Sequence, residues 1–245
     1  MKGQPRNRVA SRRTRHWSSP LNILALDTGF SDGVVAAQRR DGQRAHRLIG
    51  PFGTHGERIL TAIQEVLIEL KIKPADLNRV GVGQGPGSFT GLRIALATAQ
   101  GLATGLELEV VAYPTFEALP QPREYDLVHV FDARRGQLFA AQMGADGLEM
   151  ATCEDPITVA SWIGAKTLVY GDGPIRYPEL LAAGATWLEG PYAVVPERAL
   201  DLTRSASIHK GPLLPTYRRG AEAQVIFGSP ILDRALDADD LARQT

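Results

Sequence analysis

The apolar positions of this chain fall into blocks whose spacing changes along its length. Leu21-Asn22-Ile23-Leu24-Ala25-Leu26-Asp27-Thr28 is an apolar run closed by an acid, and residues 33–39 form a second strand-like block. Asp41-Gly42 between them and the next block predicts a two-residue hairpin loop, because both positions tolerate positive φ. From residue 54 the spacing becomes helical: Ile59, Leu60, Ile63, Val66, Leu67 and Leu70 share one face, Thr54 is the expected N-cap, and Lys73-Pro74 closes the helix. Residues 77–82 then read as a strand, residues 90–104 as a second helix and residues 107–112 as a strand. The predicted order is βββαβαβ, an α/β unit over residues 21–112.

A second unit is expected over residues 113–225, followed by a tail at 226–245. Residues 127–132 and 137–142 read as strands around Arg134-Arg135-Gly136, and Asp146-Gly147 marks a further turn. An apolar strand ending in an acid, a turn and a second strand thus occur at Asp27 and again at Asp132, which suggests an internal duplication. Beyond residue 150 the periodicity is poor.

Charge adds one feature. The formal net charge is zero, but residues 1–20 hold six of the 27 basic residues and no acid, which leaves the remainder mildly acidic. This arm reads as a disordered extension or expression remnant, with nucleic-acid binding or organellar targeting as the alternatives. No run approaches the roughly 18 apolar residues of a membrane span. Cys153 is the single cysteine, so an internal disulfide and a Cys-based zinc site are excluded and a soluble cytoplasmic protein is expected.

The stretch most suggestive of chemistry is Gly83-Gln84-Gly85-Pro86-Gly87-Ser88-Phe89-Thr90-Gly91-Leu92-Arg93. A strand, a glycine-rich turn and a helix N-terminus in succession can present N–H groups to an anion. Ser88 stands where a P-loop needs lysine, and no register gives Gly-x-Gly-x-x-Gly, so close packing is the preferred reading and phosphate contact by Asp27, Gly85, Gly87 and Ser88 the weaker one. Ser88 reads as a helix cap, because no nucleophile-elbow frame surrounds it. Gly91, Ala95, Ala99 and Ala103 form a ridge of small side chains that would let the first helix approach closely. The five histidines lack the spacing of a metal pair, and Asp27 lacks the companion carboxylates of a two-metal nuclease.

Taken together, Ile23-Leu24-Ala25-Leu26-Asp27-Thr28, His55 with Arg58-Ile59-Leu60, the Gly85-Pro86-Gly87-Ser88-Phe89-Thr90-Gly91-Leu92-Arg93 run, Asp132-Ala133-Arg134-Arg135-Gly136 and Pro215-Thr216-Tyr217-Arg218 resemble the bacterial TsaB family, also called YeaZ. The resemblance implies an actin-like, Hsp70-like ATPase (RNase H-like) fold of two related subdomains, the second reduced. It implies a non-catalytic subunit for threonylcarbamoylation of the adenosine beside the tRNA anticodon. A TsaD-like catalytic partner would carry the metal and substrate sites and a TsaE-like ATPase would use the ATP. This chain would have no metal or cofactor of its own, pair with a second copy when alone, and meet tRNA through the complex. Carried over, the partner surface falls on the first two helices, at His55, Ile59, Ile63, Leu67, Gly91, Ala95 and Ala99. An ATP-dependent phosphotransferase or peptidase of the actin-like superfamily is the alternative. Phe30 and Asp32, the basic arm, and residues 151–210 depart from the family pattern.

Overall fold

The computed structural model describes residues 20–51, 53–121, 125–144, 147–182 and 184–216, so the basic arm up to residue 19 and the tail from residue 217 lie outside it. Strands β1 (Ile23–Asp27), β2 (Gly33–Gln38), β3 (Arg44–Ile49), β4 (Arg79–Gly83) and β5 (Glu109–Tyr113) form a sheet in the order β3-β2-β1-β4-β5. The hairpin pairs are antiparallel, and β1, β4 and β5 run parallel. Helices α1 (His55–Glu69) and α2 (Phe89–Leu106) supply the two crossovers. Every residue of β1 is buried because both faces of the sheet are covered: Leu24 and Leu26 pack with α1 and α2, whereas Ile23 and Ala25 face the opposite core.

The second half repeats this plan. Strands β6 (Leu127–Arg134), β7 (Gln137–Gly144), β8 (Gly147–Glu154), β9 (Leu168–Tyr170) and β10 (Thr186–Leu188) take the order β8-β7-β6-β9-β10, with antiparallel hairpins and parallel β6, β9 and β10. The duplication expected from the two hairpins is therefore real, and the fold is the actin-like pair of related halves. Reduction of the second half lies in its helices: α3 (Pro156–Ala160) and α4 (Gly173–Arg176) have 5 and 4 residues where α1 and α2 have 15 and 18.

A last helix, α5 (Pro196–Ser205), returns from the second half and packs across β1, β2 and β4 of the first sheet. A Cβ at Gly81 would come within 1.8 Å of Thr203 Oγ1, so glycine is what lets α5 lie this close. Arg79 fastens the contact, donating to the Arg204 carbonyl at 2.8 Å while pairing with Glu109 at 2.7 Å. The core between the two sheets joins Ile23, Ala25, Phe30, Phe116, Phe131, Tyr170 and Leu200.

Local differences from the sequence reading have simple causes. The first hairpin closes with three residues, not two, because Arg39 N–H donates to the Gln43 carbonyl and Gly42 alone of the loop takes positive φ. Thr54 precedes α1, but its hydroxyl donates back to the Pro51 carbonyl instead of capping the helix. The second helix starts one residue earlier than expected and runs to Leu106, where Glu107 ends it in a left-handed conformation. Strands predicted at 77–82 and 107–112 occupy Arg79–Gly83 and Glu109–Tyr113.

Candidate functional site

The four residues weighed for phosphate contact do come together, at the turn between β1 and β2. Ser88 N–H donates to the Gly29 carbonyl at 2.7 Å, and Thr28 Oγ1 donates to the Gly91 carbonyl at 2.6 Å. Ser88 Oγ in turn accepts from Gly91 N–H at 3.3 Å, which makes it the predicted N-cap of α2. Gly85 N–H donates to Thr115 Oγ1 at 3.1 Å. A Cβ at Gly87 would lie 2.5 Å from the Gly29 carbonyl and one at Gly91 1.9 Å from the Thr28 carbonyl. These glycines are spent on backbone contact within the chain, and the N–H groups of Gly85, Ser88 and Gly91 are bonded to it.

Asp27 lies beneath this turn, 2% exposed. Its Oδ1 accepts from Gly29 N–H at 2.9 Å, while Oδ2 is buried without a hydrogen-bond partner. A Cβ at Gly83 on the neighbouring strand would stand 1.8 Å from Oδ2, so the carboxyl occupies the space that glycine leaves. Burial pushes the Asp27 carboxyl up to about 6, against the lowering effect of the Gly29 N–H.

Aromatic rings from both halves meet in the core between the sheets. Phe30 stacks on Phe131 with centroids 3.7 Å apart and planes 13° from parallel, and Phe116 flanks both at 5.8 and 6.3 Å. Asp32 completes the closure, accepting from Tyr192 N–H at 3.0 Å. Phe30 and Asp32, the two departures from the family pattern in this turn, are thus the residues that close it. The N–H groups of Gly85, Ser88 and Gly91 that a phosphate here would need are already bonded within the chain, so a nucleotide held near Asp27, as the actin-like fold implies, does not fit these residues. The described residues also contain no group of three His, Cys, Asp or Glu side chains able to hold a metal ion.

The helix surface is the other candidate, and here the structure corrects the residue choice. His55, Ile59, Ile63, Leu67, Gly91, Ala95 and Ala99 are all buried. The ridge of Gly91, Ala95, Ala99 and Ala103 is buried in the core that α2 shares with α1 and the sheet, where β4 is the main neighbour of α2. His55 is held under the first half, with Nε2 3.2 Å from the Ser31 carbonyl and a pKa lowered by burial. None of these side chains reaches the outer surface.

Different residues do. Leu60 and Ile68 project from α1 with 62% and 67% exposure, and Phe89, Arg93, Ala97, Gly101 and Gly105 are exposed on α2. Nothing lies within 4 Å of a Cβ built at Gly101 or Gly105. Ala97, Gly101 and Gly105 thus form a second small-residue ridge on the outward side of α2. That signal was present in the sequence at a four-residue spacing. Two glycines on a solvent face each cost a helix about 1 kcal/mol relative to alanine, and close approach of another backbone is the usual return. Among the described residues no helix is long and apolar enough to cross a membrane.

Residues 53–199 match the family model described as TsaD, tRNA N6-adenosine threonylcarbamoyltransferase. The chain is 31% identical over 162 residues to the tRNA threonylcarbamoyladenosine biosynthesis protein TsaB of Bacillus subtilis, covering 64% of this chain and 70% of that protein. It is 35% identical over 131 residues to Escherichia coli TsaB, covering 51% of this chain and 56% of that protein. Among solved structures, a Pseudomonas aeruginosa protein described as similar to the peptidase YEAZ superposes with a TM-score of 0.67 at 25% identity, over 81% of this chain and all of the other.

Proposed function

Since this chain belongs to the TsaB (YeaZ) family, we propose that it is a non-catalytic, cytoplasmic subunit required for threonylcarbamoylation of the adenosine adjacent to the tRNA anticodon. It binds and stabilises a TsaD-like catalytic subunit, a TsaE-like ATPase joins the assembly, and a second copy of the chain takes the same surface when the partner is missing. ATP is used by the complex, and tRNA reaches this chain through it.

The observation that carries this reading is the contrast between a closed interior and an open helix face. Asp27, the acid placed where an actin-like ATPase would need one, is buried against Gly29 and Gly83. The outward side of α1 instead exposes Leu60 and Ile68, and α2 exposes Phe89 at its start and two glycines with open space above them towards its end. Apolar side chains around a line of small residues suit close packing of a partner helix.

Co-expression with the TsaD-like subunit, followed by size-exclusion chromatography, tests it. Wild-type chain is expected to co-elute with the partner. Gly101→Leu with Gly105→Leu replaces glycine by a better helix former in open space, so the fold is retained while the docking line is blocked, and co-elution is expected to be lost. Retention of the complex by a folded double variant would place the docking surface elsewhere.

A further inference from the structure

The loop between β6 and β7 carries a feature that the docking reading leaves unused. The strand register shifts between Asp132 and Arg134, so an extra residue is accommodated there. Arg134 and Arg135 then take left-handed conformations, φ 68° and 53°, ahead of Gly136 at 76°. The two-residue loop is Arg135-Gly136, where Asn-Gly or Gly-Gly is usual, and Arg134 before it is paired with Gln137 yet also left-handed, so the chain accepts backbone strain at both arginines. Asp132 orients the result. Its Oδ1 accepts from Arg134 N–H at 2.8 Å, and its Oδ2 lies 3.3 Å from Arg134 Nη1 and 3.6 Å from Nη1 of Arg176, which arrives from α4. Asp172 fixes the backbone there, accepting from Asp132 N–H at 2.9 Å. The Asp132 side chain is 10% exposed, whereas those of Arg134 and Arg176 are 63% and 54% exposed. Arg135 is exposed beside them.

We infer that Arg134, Arg135 and Arg176 form a phosphate-binding patch that holds the sugar–phosphate backbone of the RNA substrate. Two guanidiniums steadied from behind by one carboxylate are pre-set for the two-pronged contacts that arginine makes with phosphate oxygens. The placement has meaning on a chain whose residues beyond 20 are mildly acidic overall: it offers a polyanion one local point of attachment, and that attachment positions the RNA without reading its sequence. This inference rests on the proposed role in tRNA modification.

The test uses the full chain assembled with its TsaD-like partner, with tRNA binding followed by fluorescence anisotropy between 50 and 200 mM KCl and assembly followed by size-exclusion chromatography. In Arg134→Gly with Arg176→Gln, the slope of log affinity against log salt is expected to shrink by roughly 1.4 to 1.8, from about 0.7 to 0.9 for each of two lost phosphate contacts, with affinity falling on the order of tenfold at 100 mM. Arg134→Lys, which keeps the charge, is expected to recover most of the slope. Assembly is expected to be unchanged. If the assembled double variant binds tRNA with the wild-type slope and affinity, the patch does not touch RNA. If the double variant loses assembly, the arginines belong to a protein interface and the inference is also overturned. Failure of the wild-type chain to assemble would instead sink the scaffold reading itself.

Discussion

The turns after β1 and β6 occupy the same place in the two halves of the fold, yet the acid in each has met a different fate. Asp27 is buried against Gly29 and Gly83, keeps one oxygen without a hydrogen bond, and is pushed towards its neutral form. Asp132 faces two guanidiniums at the surface and steadies them. Equivalent position in a duplicated fold therefore does not assign equivalent chemistry; the residues that follow the acid do. Gly29 donates to Asp27 and Phe30 turns into the core between the sheets, whereas Arg134 and Arg135 are exposed, with a bulge before them and both in left-handed conformations.

Opening the sealed turn should have the largest effect. Phe30→Ala removes a buried ring stacked on Phe131, and a loss of about 3–4 kcal/mol in unfolding free energy is expected by urea denaturation. A loss below 1 kcal/mol would mean that the aromatic stack is not what closes the cleft.

Asp27 should then make stability depend on pH in a direction unusual for a carboxylate. Its folded pKa of about 6 is above the ordinary 3.8, so the folded state holds the proton more tightly than the unfolded state between these values. Stability contributed by the protonated acid is full below about pH 4 and is lost as pH rises through 6, a change of about 3 kcal/mol at most. His129 works in the opposite direction: burial lowers its pKa to about 3, so stability is lost as pH falls from 6.5 towards 3. The two effects separate in the difference between wild type and Asp27→Asn. That difference is expected to favour the variant increasingly from pH 4 to pH 7, and a flat difference would show that Asp27 is not desolvated.

The open turn should respond least, and with the opposite sign. Arg134→Gly relieves a left-handed residue and gives up a largely exposed ion pair, so a gain of roughly 0.5 kcal/mol is expected by thermal denaturation. A clear loss would mean that Arg134 is there to hold the hairpin together.

These two turns also mark what was readable from sequence. Asp27 and Asp132 were visible as strand-end acids, and the repeated strand–turn–strand pattern around them was enough to expect the duplication. The cap at Ser88 and the strand–turn–helix around it were equally legible, because local chemistry decides both. The closing of the space between the halves was not, since it depends on Phe30 meeting Phe131 about a hundred residues away. Helix α5 escaped notice because its buried face consists of Ala199, Leu200 and Thr203, too few apolar positions to set a period. The helix-face residues were misassigned for a related reason. Periodicity finds the apolar stripe of a helix, and on α1 and α2 that stripe is the side turned towards the sheet.

The most direct measurement of the docking role is mass spectrometry of tRNA nucleosides in cells whose copy of this chain is replaced by a variant. Asp27→Asn is expected to leave the threonylcarbamoyl modification near its wild-type level, whereas Gly101→Leu with Gly105→Leu is expected to abolish it. Loss of the modification in Asp27→Asn, with retention in the folded helix-face variant, would contradict the scaffold role and return the chemistry to the cleft.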